Sequence, residues 1–545
     1  MNQLISKTKK VFFASQTSIL TSTIILSGMI LLSRIAGFIR YRILAGFFTK
    51  EELDIYFAAF RIPDLVFEIL ISGALSTTFI PFFVEYQRKN KDRDSIISSV
   101  INAVTLALFV VVLILVISMP FIMPILTPGF AQETMPQLVF YARILLLGQL
   151  PFLVLGNFLT GISQAKKSFI IPAIAPIIYN IAIIVFIFIF KNSWHLMAPI
   201  FGVVFGAIVF FLIQLPVLFF AEFNYILVLR HIKEVFQFFK TAIPRIMTII
   251  VAQIDATVDL ALASLLGSGA YTIFYLAQRL QLLPVSLIGM AFGQASLPYL
   301  TEVFQQGKKE QFRIIIKQSL LNIFFFTIPA SMFLVLARTP MVRLFFGGEK
   351  FDWSATNMTA LTLSFFAISL PLHAAYYFLA RSFYAAFDTK TPFLVTAFSI
   401  LLNAILSTYF TIILKLPVWG LALSFSIAMS LRSILLTYLI FRRTHIRLIF
   451  EVVIDSLKIF LAALNTSVLT YFLIRLIDGL ILDTSRTINI FALLVIGSVF
   501  YFIFYVFFCY IFGVKELSLF NGVISQFKNY KKRVFELYKG VETVE

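Results

Sequence analysis

Cysteine occurs once in the 545 residues, at Cys509, which excludes an intramolecular disulfide and a cysteine-built metal centre. Histidine occurs four times, and none of the four falls at a metal-ligating spacing with acids. No Walker A loop is present, so nothing points to intrinsic ATP drive. No serine–histidine–aspartate arrangement emerges. The loops are too short for the carboxylate-rich metal and diphosphate site of an embedded transferase. Charged residues make up only 13% of the chain, too few for the surface of a soluble protein of this size. Neither an enzyme nor a cofactor is expected.

What is abundant is apolar: 60% of the residues are hydrophobic, 65 are phenylalanine, and the mean hydropathy is +0.96. Soluble domains of ordinary size cannot hide that much apolar surface. A membrane span needs about 20 predominantly apolar residues, and the apolar runs read as about fourteen spans by that measure. They fall at 18–46, 54–86, 96–123, 137–162, 169–190, 196–221, 241–266 and 271–300. The rest are 312–337, 356–386, 392–414, 417–440, 452–477 and 487–512. The expected architecture is an all-α polytopic membrane protein with two pseudo-symmetric six-helix lobes, 1–222 and 241–441. A cytoplasmic amphipathic linker, 223–240, joins them. Two further spans in 442–512 and a basic amphipathic tail, 513–545, complete it.

The net charge of +18 sits mostly in loops and tails. That placement fits anionic lipid at a cytoplasmic surface and argues against nucleic acid. Arg88, Lys89, Lys91 and Arg93 follow span two, Lys166 and Lys167 span four, and Lys390 alone span ten, while three basic residues each follow spans six, eight and twelve. Loops 124–136 and 267–270 have no Lys or Arg. Even-numbered loops and both termini are therefore expected on the cytoplasmic side, with Arg338, Arg343 and Lys350 of the ninth loop as the exception. Lys7, Lys9 and Lys10 precede an apolar stretch without a convincing cleavage site, so the first helix is expected to be retained. Ile232, Val235, Phe236 and Phe239 fall at helical spacing opposite charged residues, as do Phe520, Val523, Ile524 and Phe527 before Lys531-Lys532-Arg533. Both segments read as helices on the cytoplasmic surface.

An internal repeat is visible. Span two has Pro63, Ala74-Leu75-Ser76, Pro81 and Glu85 before a basic loop; span eight has Pro284, Gln294-Ala295-Ser296, Pro298 and Glu302 before another. An even offset of six spans relates the halves by an axis along the membrane normal, with a cavity expected between the lobes.

Charges at helix centres cost about 2.5–3.5 kcal/mol each, so they mark surfaces that face water or a partner. Span one carries Arg34, Arg40 and Arg42, with Gly37 and Gly46 available for bending. Asp54, Arg61 and Glu68 recur every seven residues and are expected on one face of span two, with Asp64 beside them. Span seven has Arg245, Thr248, Asp255 and Asp259; span eight has Arg279; span ten has His373, Tyr376, Tyr377, Arg381 and Tyr384. Bland readings stand beside these. Arg61 with Asp64 or Glu68 makes a helix-internal ion pair, Arg42 and Asp54 lie at the outer interface, Arg381 snorkels to the inner one, and His373 is a core histidine. Arg34, Arg40 and Arg279 have no acid three or four residues away on their own helices. Arginines in a cavity suit an anion, diphosphate above all, which guanidinium grips with paired hydrogen bonds.

The run Ser33-Arg34-Ile35-Ala36-Gly37-Phe38-Ile39-Arg40, followed by Asp54-Ile-Tyr-Phe-Ala-Ala-Phe-Arg-Ile-Pro63, resembles the MurJ/MviN family. The likeness continues at Gly73-Ala-Leu-Ser-Thr-Thr-Phe-Ile-Pro81, Tyr275-Leu-Ala-Gln-Arg279-Leu-Gln-Leu-Leu-Pro284 and Asp388-Thr-Lys-Thr-Pro392. The resemblance implies the fold of the multidrug/oligosaccharidyl-lipid/polysaccharide exporter superfamily and the flipping of lipid II, the undecaprenyl-diphosphate-linked peptidoglycan precursor. Its setting would be the bacterial cytoplasmic membrane, with membrane lipids and cell-wall synthesis proteins as partners. It maps the family's cavity arginines onto Arg34, Arg40 and Arg279, with Arg42 and Arg61 as substitutes for one that is missing, and its acid onto Asp54. The chain departs from the family where an arginine pair and an Ala-Glu-Gly are common, holding Phe67-Glu68 and Ile71-Ser72-Gly73, and it has Tyr41 where an acid often follows.

The resulting expectation is alternating access, with Gly37, Gly46 and Pro63 as bending points. Asp54, Glu68, Asp255 and Asp259 suit either coupling to a proton or sodium ion or balancing of the arginines. A flippase for another polyprenyl-diphosphate glycan is the alternative. A multidrug antiporter of the same superfamily is a further one, which the arginines disfavour.

Overall fold

The computed structural model describes residues 19–89, 92–166, 168–221, 223–442, 447–484 and 486–519, and among these the regular structure is helical, with no strand. The expected amphipathic tail segment around 520–527 and the lysines before span one lie outside the described residues. Eleven helices among the described residues are long and apolar enough to cross a membrane. The stretches expected as spans one, two and seven are helical as well, and these three carry polar stripes.

Span one is α1 (Ile19–Phe47), which runs unbroken through Gly37 and Gly46. Span two is in pieces: α2 (Lys50–Ala59), α3 (Arg61–Glu68), a π-helical stretch (Ile69–Phe79) and α4 (Ile80–Lys89). Thr49 opens α2 with a capping box. Its hydroxyl accepts from the Glu52 N–H at 3.3 Å, and Glu52 accepts from the Thr49 N–H at 2.8 Å. The break at Phe60 puts Pro63 in the first turn of α3, where a missing N–H forfeits no helical bond. Asp54 lies on α2, and Arg61 and Glu68 stand at the two ends of α3.

Next come α5 (Arg93–Leu126), α6 (Met135–Ile144), a π-helical turn (Leu145–Gln149), α7 (Leu150–Ala165), α8 (Ile170–Trp194), α9 (Met197–Leu212) and α10 (Pro216–Phe220). Residues 223–230 are extended rather than helical. Their backbone bonds come from α5: Asn102 donates to the carbonyls of Ile226 and Val228, and Ser98 accepts from the Ile226 N–H. The amphipathic segment then starts α11 (Ile232–Leu265), which continues without a break into span seven. The expected boundary at 240 is therefore not a structural one.

The remaining helices are α12 (Ala270–Pro284), a π-helical stretch (Val285–Met290), α13 (Ala291–Gln305), α14 (Lys309–Leu336), α15 (Arg338–Phe346), α16 (Trp353–Ala385) and α17 (Lys390–Thr408). After a π-helical turn (Tyr409–Ile413) follow α18 (Trp419–Arg442), α19 (Arg447–Leu480) and α20 (Thr487–Ile511). Both members of the internal repeat, spans two and eight, contain a π-helical stretch after their first proline.

The chain divides into two compact units. One comprises residues 1–276, 345–359 and 404–421; the other comprises 277–344, 360–403 and 422–545. These bounds differ from the lobes read in the sequence: α11 belongs with the first unit, where it packs on α5 and on the π-helical stretch of span two.

Prolines inside spans organise packing within each unit. A proline removes the N–H that would serve the carbonyl four residues earlier, and in apolar surroundings that carbonyl must find another donor. Pro329 strips the Phe325 carbonyl, which the Tyr505 hydroxyl reaches at 2.7 Å. Pro371 strips Ala367, whose carbonyl accepts from Ser331. Pro120 strips Val116, whose carbonyl accepts from Arg143 Nε at 2.9 Å. Each repair ties one span to another. In the second unit the Tyr505 repair sits in a core that includes Phe325, Phe378, Ile459 and Tyr501.

Candidate functional site

In the first unit the site is built from α1, α2, α3, α8, α11 and the start of α12. Arg40 on α1 places its guanidinium 5.1 Å from the ring of Tyr41 and 6.0 Å from that of Tyr179. Tyr41 in turn lies hydroxyl to hydroxyl with Tyr275 at 3.5 Å, and Tyr275 stacks on Phe57 with centroids 4.4 Å apart. Arg40 Nε is buried and makes no hydrogen bond among the described residues. Ring faces hold a guanidinium through its charge while leaving N–H groups for an acceptor. Arg34 and Arg42 lie half-buried on the same helix. Gly37 has space around it: a methyl group there would find only Asn180 Oδ1, at 4.0 Å.

Asp54, buried on α2, accepts from the Gly269 N–H at 2.6 Å and from the Thr272 N–H at 2.7 Å. These donors belong to the entry of α12, whose first-turn N–H groups lack helical acceptors. A carboxylate is the strongest side-chain partner available to them. Gly269 adopts φ +83, and a Cβ there would fall 2.5 Å from the Lys50 side chain, so only glycine fits both the backbone and the space. The Thr272 hydroxyl donates to the Lys50 carbonyl at 3.0 Å, and Lys50 Nζ lies 3.0 Å from Asp352. The Ala355 N–H, and then Lys50, hold the Asp352 carboxyl below its ordinary range. A Cβ on Gly348 would come within 2.5 Å of Gly46 Cα, so these two backbones are in contact.

Arg61 faces α11. Its guanidinium donates to the Gln253 carbonyl at 2.9 Å, and also to the Gln253 side chain and the Thr257 hydroxyl. This bonding ties α3 to α11. Glu68 is exposed, whereas Asp255 and Asp259 on α11 are buried, and Ser407 donates to Asp259 at 2.9 Å.

In the second unit Arg279 is half-buried on α12. His373 is buried, lies 3.0 Å from the Gln281 amide and stacks on Tyr377, as befits a core histidine. Arg381 donates to the Tyr377 carbonyl on its own helix at 3.0 Å. Sequence reading missed Arg432, which is buried on α18 with its guanidinium 5.1 Å from the Tyr376 ring. The signal that singled out Arg279, a cation inside an apolar run, is present there too.

Membrane-length helices in this order, with arginines held within them, define a polytopic α-helical membrane protein. An inward-facing multidrug-resistance MATE transporter of the multidrug/oligosaccharidyl-lipid/polysaccharide superfamily shares the fold, with a TM-score of 0.66 and 15% identity over 75% of this chain and 94% of the other. The family model described as lipid II flippase MurJ matches residues 43–492, and the chain belongs to that family. A lipid II flippase MurJ from Burkholderia cenocepacia is 28% identical over 75% of this chain and 81% of its own. A probable lipid II flippase MurJ from Buchnera aphidicola subsp. Acyrthosiphon pisum is 26% identical over 92% and 99%. A solved lipid II flippase MurJ in an inward closed conformation superposes with a TM-score of 0.73 at 27% identity, covering 89% of this chain and 99% of the other.

Proposed function

We propose that this chain moves lipid II from the inner to the outer leaflet by alternating access, without catalysing a covalent step. The observation that carries this reading is Arg40: an arginine inside the membrane, held by the rings of Tyr41 and Tyr179, with a buried Nε–H awaiting an acceptor. Arg34 and Arg279 are the further candidates for holding a diphosphate, each within its own unit, and Arg42 adds charge. Charge-assisted hydrogen bonds of this kind contribute about 1.5–3 kcal/mol each, enough to draw the headgroup in while the polyprenyl tail stays in lipid. The reading sets the protein in the cytoplasmic membrane of a bacterium with both termini on the cytoplasmic side, as the basic even-numbered loops require. Fourteen spans follow once α1, the broken span two and α11 are added to the eleven apolar helices.

Asp54 caps α12 and Lys50 pairs with Asp352, contacts that tie α2 to the entry of α12 and to the segment before α16. Asp255 and Asp259 suit a sodium ion or a proton as the coupling species, and cell-wall synthesis proteins suit the role of partners.

The test uses cells depleted of their own lipid II flippase. Expressing this chain should restore the fraction of lipid II that an externally added lipid II-cleaving enzyme reaches. No restoration by a properly inserted chain would redirect the assignment to another polyprenyl-diphosphate glycan, with Phe67 and Glu68 the first residues to exchange.

A further inference from the structure

A cavity of 630 Å³ lies where α5 turns into α6, at the end of the first unit that the orientation proposed above places toward the outer leaflet. Pro120, Pro124, Thr127, Gln132, Phe140 and Arg143 contribute to its wall, and no acid does. Arg143 is half-buried, and its one hydrogen bond among the described residues goes from Nε to Val116. That bond follows from the sequence, because Pro120 has left the Val116 carbonyl without a helical donor. It fixes the guanidinium and leaves the Nη groups to the cavity. Pro124 likewise strips the carbonyl of Pro120 on the same wall, adding an acceptor that a hydroxyl can serve.

Depth and surroundings define the ligand. Val116 precedes the end of α5 by ten residues, about 15 Å along the axis, so Arg143 is not at the water boundary. The surface beside the cavity is apolar and open, with Phe121 and Ile125 each 75% exposed and Phe140 48% exposed. An intramembrane cation next to lipid-facing side chains draws an anionic headgroup down to it. We propose that this cavity is a binding site for an anionic phospholipid, its phosphodiester on Arg143 and its acyl chains along Phe121, Ile125 and Phe140. The absence of any acid in the wall leaves an ammonium headgroup without a partner, so a glycerol headgroup is preferred to an ethanolamine one. The site adjoins α11 and α12: Phe130, also in the cavity wall, packs edge-on against Tyr271 in the first turn of α12, and the Gly129 N–H donates to Ser264 at the end of α11. The inference does not depend on what the protein transports.

The full chain, placed in phosphatidylcholine nanodiscs with a trace of diazirine-bearing phosphatidylglycerol, tests it. Illumination should label the peptide spanning 120–143. Unlabelled phosphatidylglycerol should suppress that labelling, whereas phosphatidylethanolamine and inorganic phosphate should not, and Arg143→Gln should weaken it about tenfold or more. Equal suppression by phosphatidylethanolamine, or unchanged labelling of a folded Arg143→Gln, overturns the proposal. Suppression by inorganic phosphate alone overturns it in favour of a free-anion site. The competition uses the wild-type protein and stands even if the variant fails to fold.

Discussion

Asp54 on α2 accepts a hydrogen bond from the backbone N–H of Thr272 at 2.7 Å, so a carboxylate from span two serves as the cap of span eight. The helix it caps carries Arg279. A side chain that reads in sequence as an ion-coupling or charge-balancing group serves here as a helix cap. Asp54→Asn puts an amide NH2 against one of two N–H donors and leaves one of them unpaired in a buried position. The expected loss is about 1–3 kcal/mol, measured as a lower Tm of the purified protein. An unchanged Tm would contradict the stabilising role of this cap.

Arg61 makes a different prediction from Arg40. Its guanidinium holds the Gln253 carbonyl and the Thr257 hydroxyl on α11. Arg61→Ala should therefore lower thermal stability, and Arg61→Lys should not restore it, because an ammonium cannot reproduce the forked geometry. Equal stability of Arg61→Lys and the wild type in a denaturation series would contradict this.

Tyr505 repairs a carbonyl that Pro329 strands. Tyr505→Phe keeps the ring and deletes the donor, leaving the Phe325 carbonyl short of its donor in a buried core. A cost of about 1–3 kcal/mol follows, read by thermal unfolding. The double variant Pro329→Ala with Tyr505→Phe should recover part of it, since the restored N–H serves the same carbonyl.

Glu516, just beyond α20, has its carboxyl raised above the ordinary 4.5 chiefly by burial. A raised carboxyl binds its proton more tightly in the folded state, so its contribution to stability declines as pH rises from the ordinary value through the raised one. Glu516→Gln should therefore raise Tm at about pH 8 and make little difference at about pH 4.5. A Tm gain that does not vary with pH would contradict the sign.

The class of the protein was legible because bilayer thickness turns composition into topology: eleven runs such as Arg93–Leu126 stand out by length alone. The cations of α1 and α12 stood out because charge inside an apolar run is costly. Less visible was anything set by a local departure from an ideal helix. Asp54 bonds to α12 and Arg61 to α11, partners that periodicity alone does not name. The continuity of α11 through Lys240 escaped because a charged amphipathic turn and an apolar span read as separate segments. Residues 223–230 escaped because their hydrogen bonds come from Ser98 and Asn102, over a hundred positions earlier. The proline repairs depend on partners such as Arg143 and Tyr505 that are distant in sequence. A proline inside a span does announce which carbonyl will need one.

The central claim is that arginines held within the membrane carry the diphosphate headgroup, and Arg279→Ala tests it most directly. In cells depleted of their own flippase, the variant should insert to the wild-type level and leave lipid II inaccessible to an externally added cleaving enzyme. Wild-type accessibility from a correctly inserted Arg279→Ala protein would contradict the account.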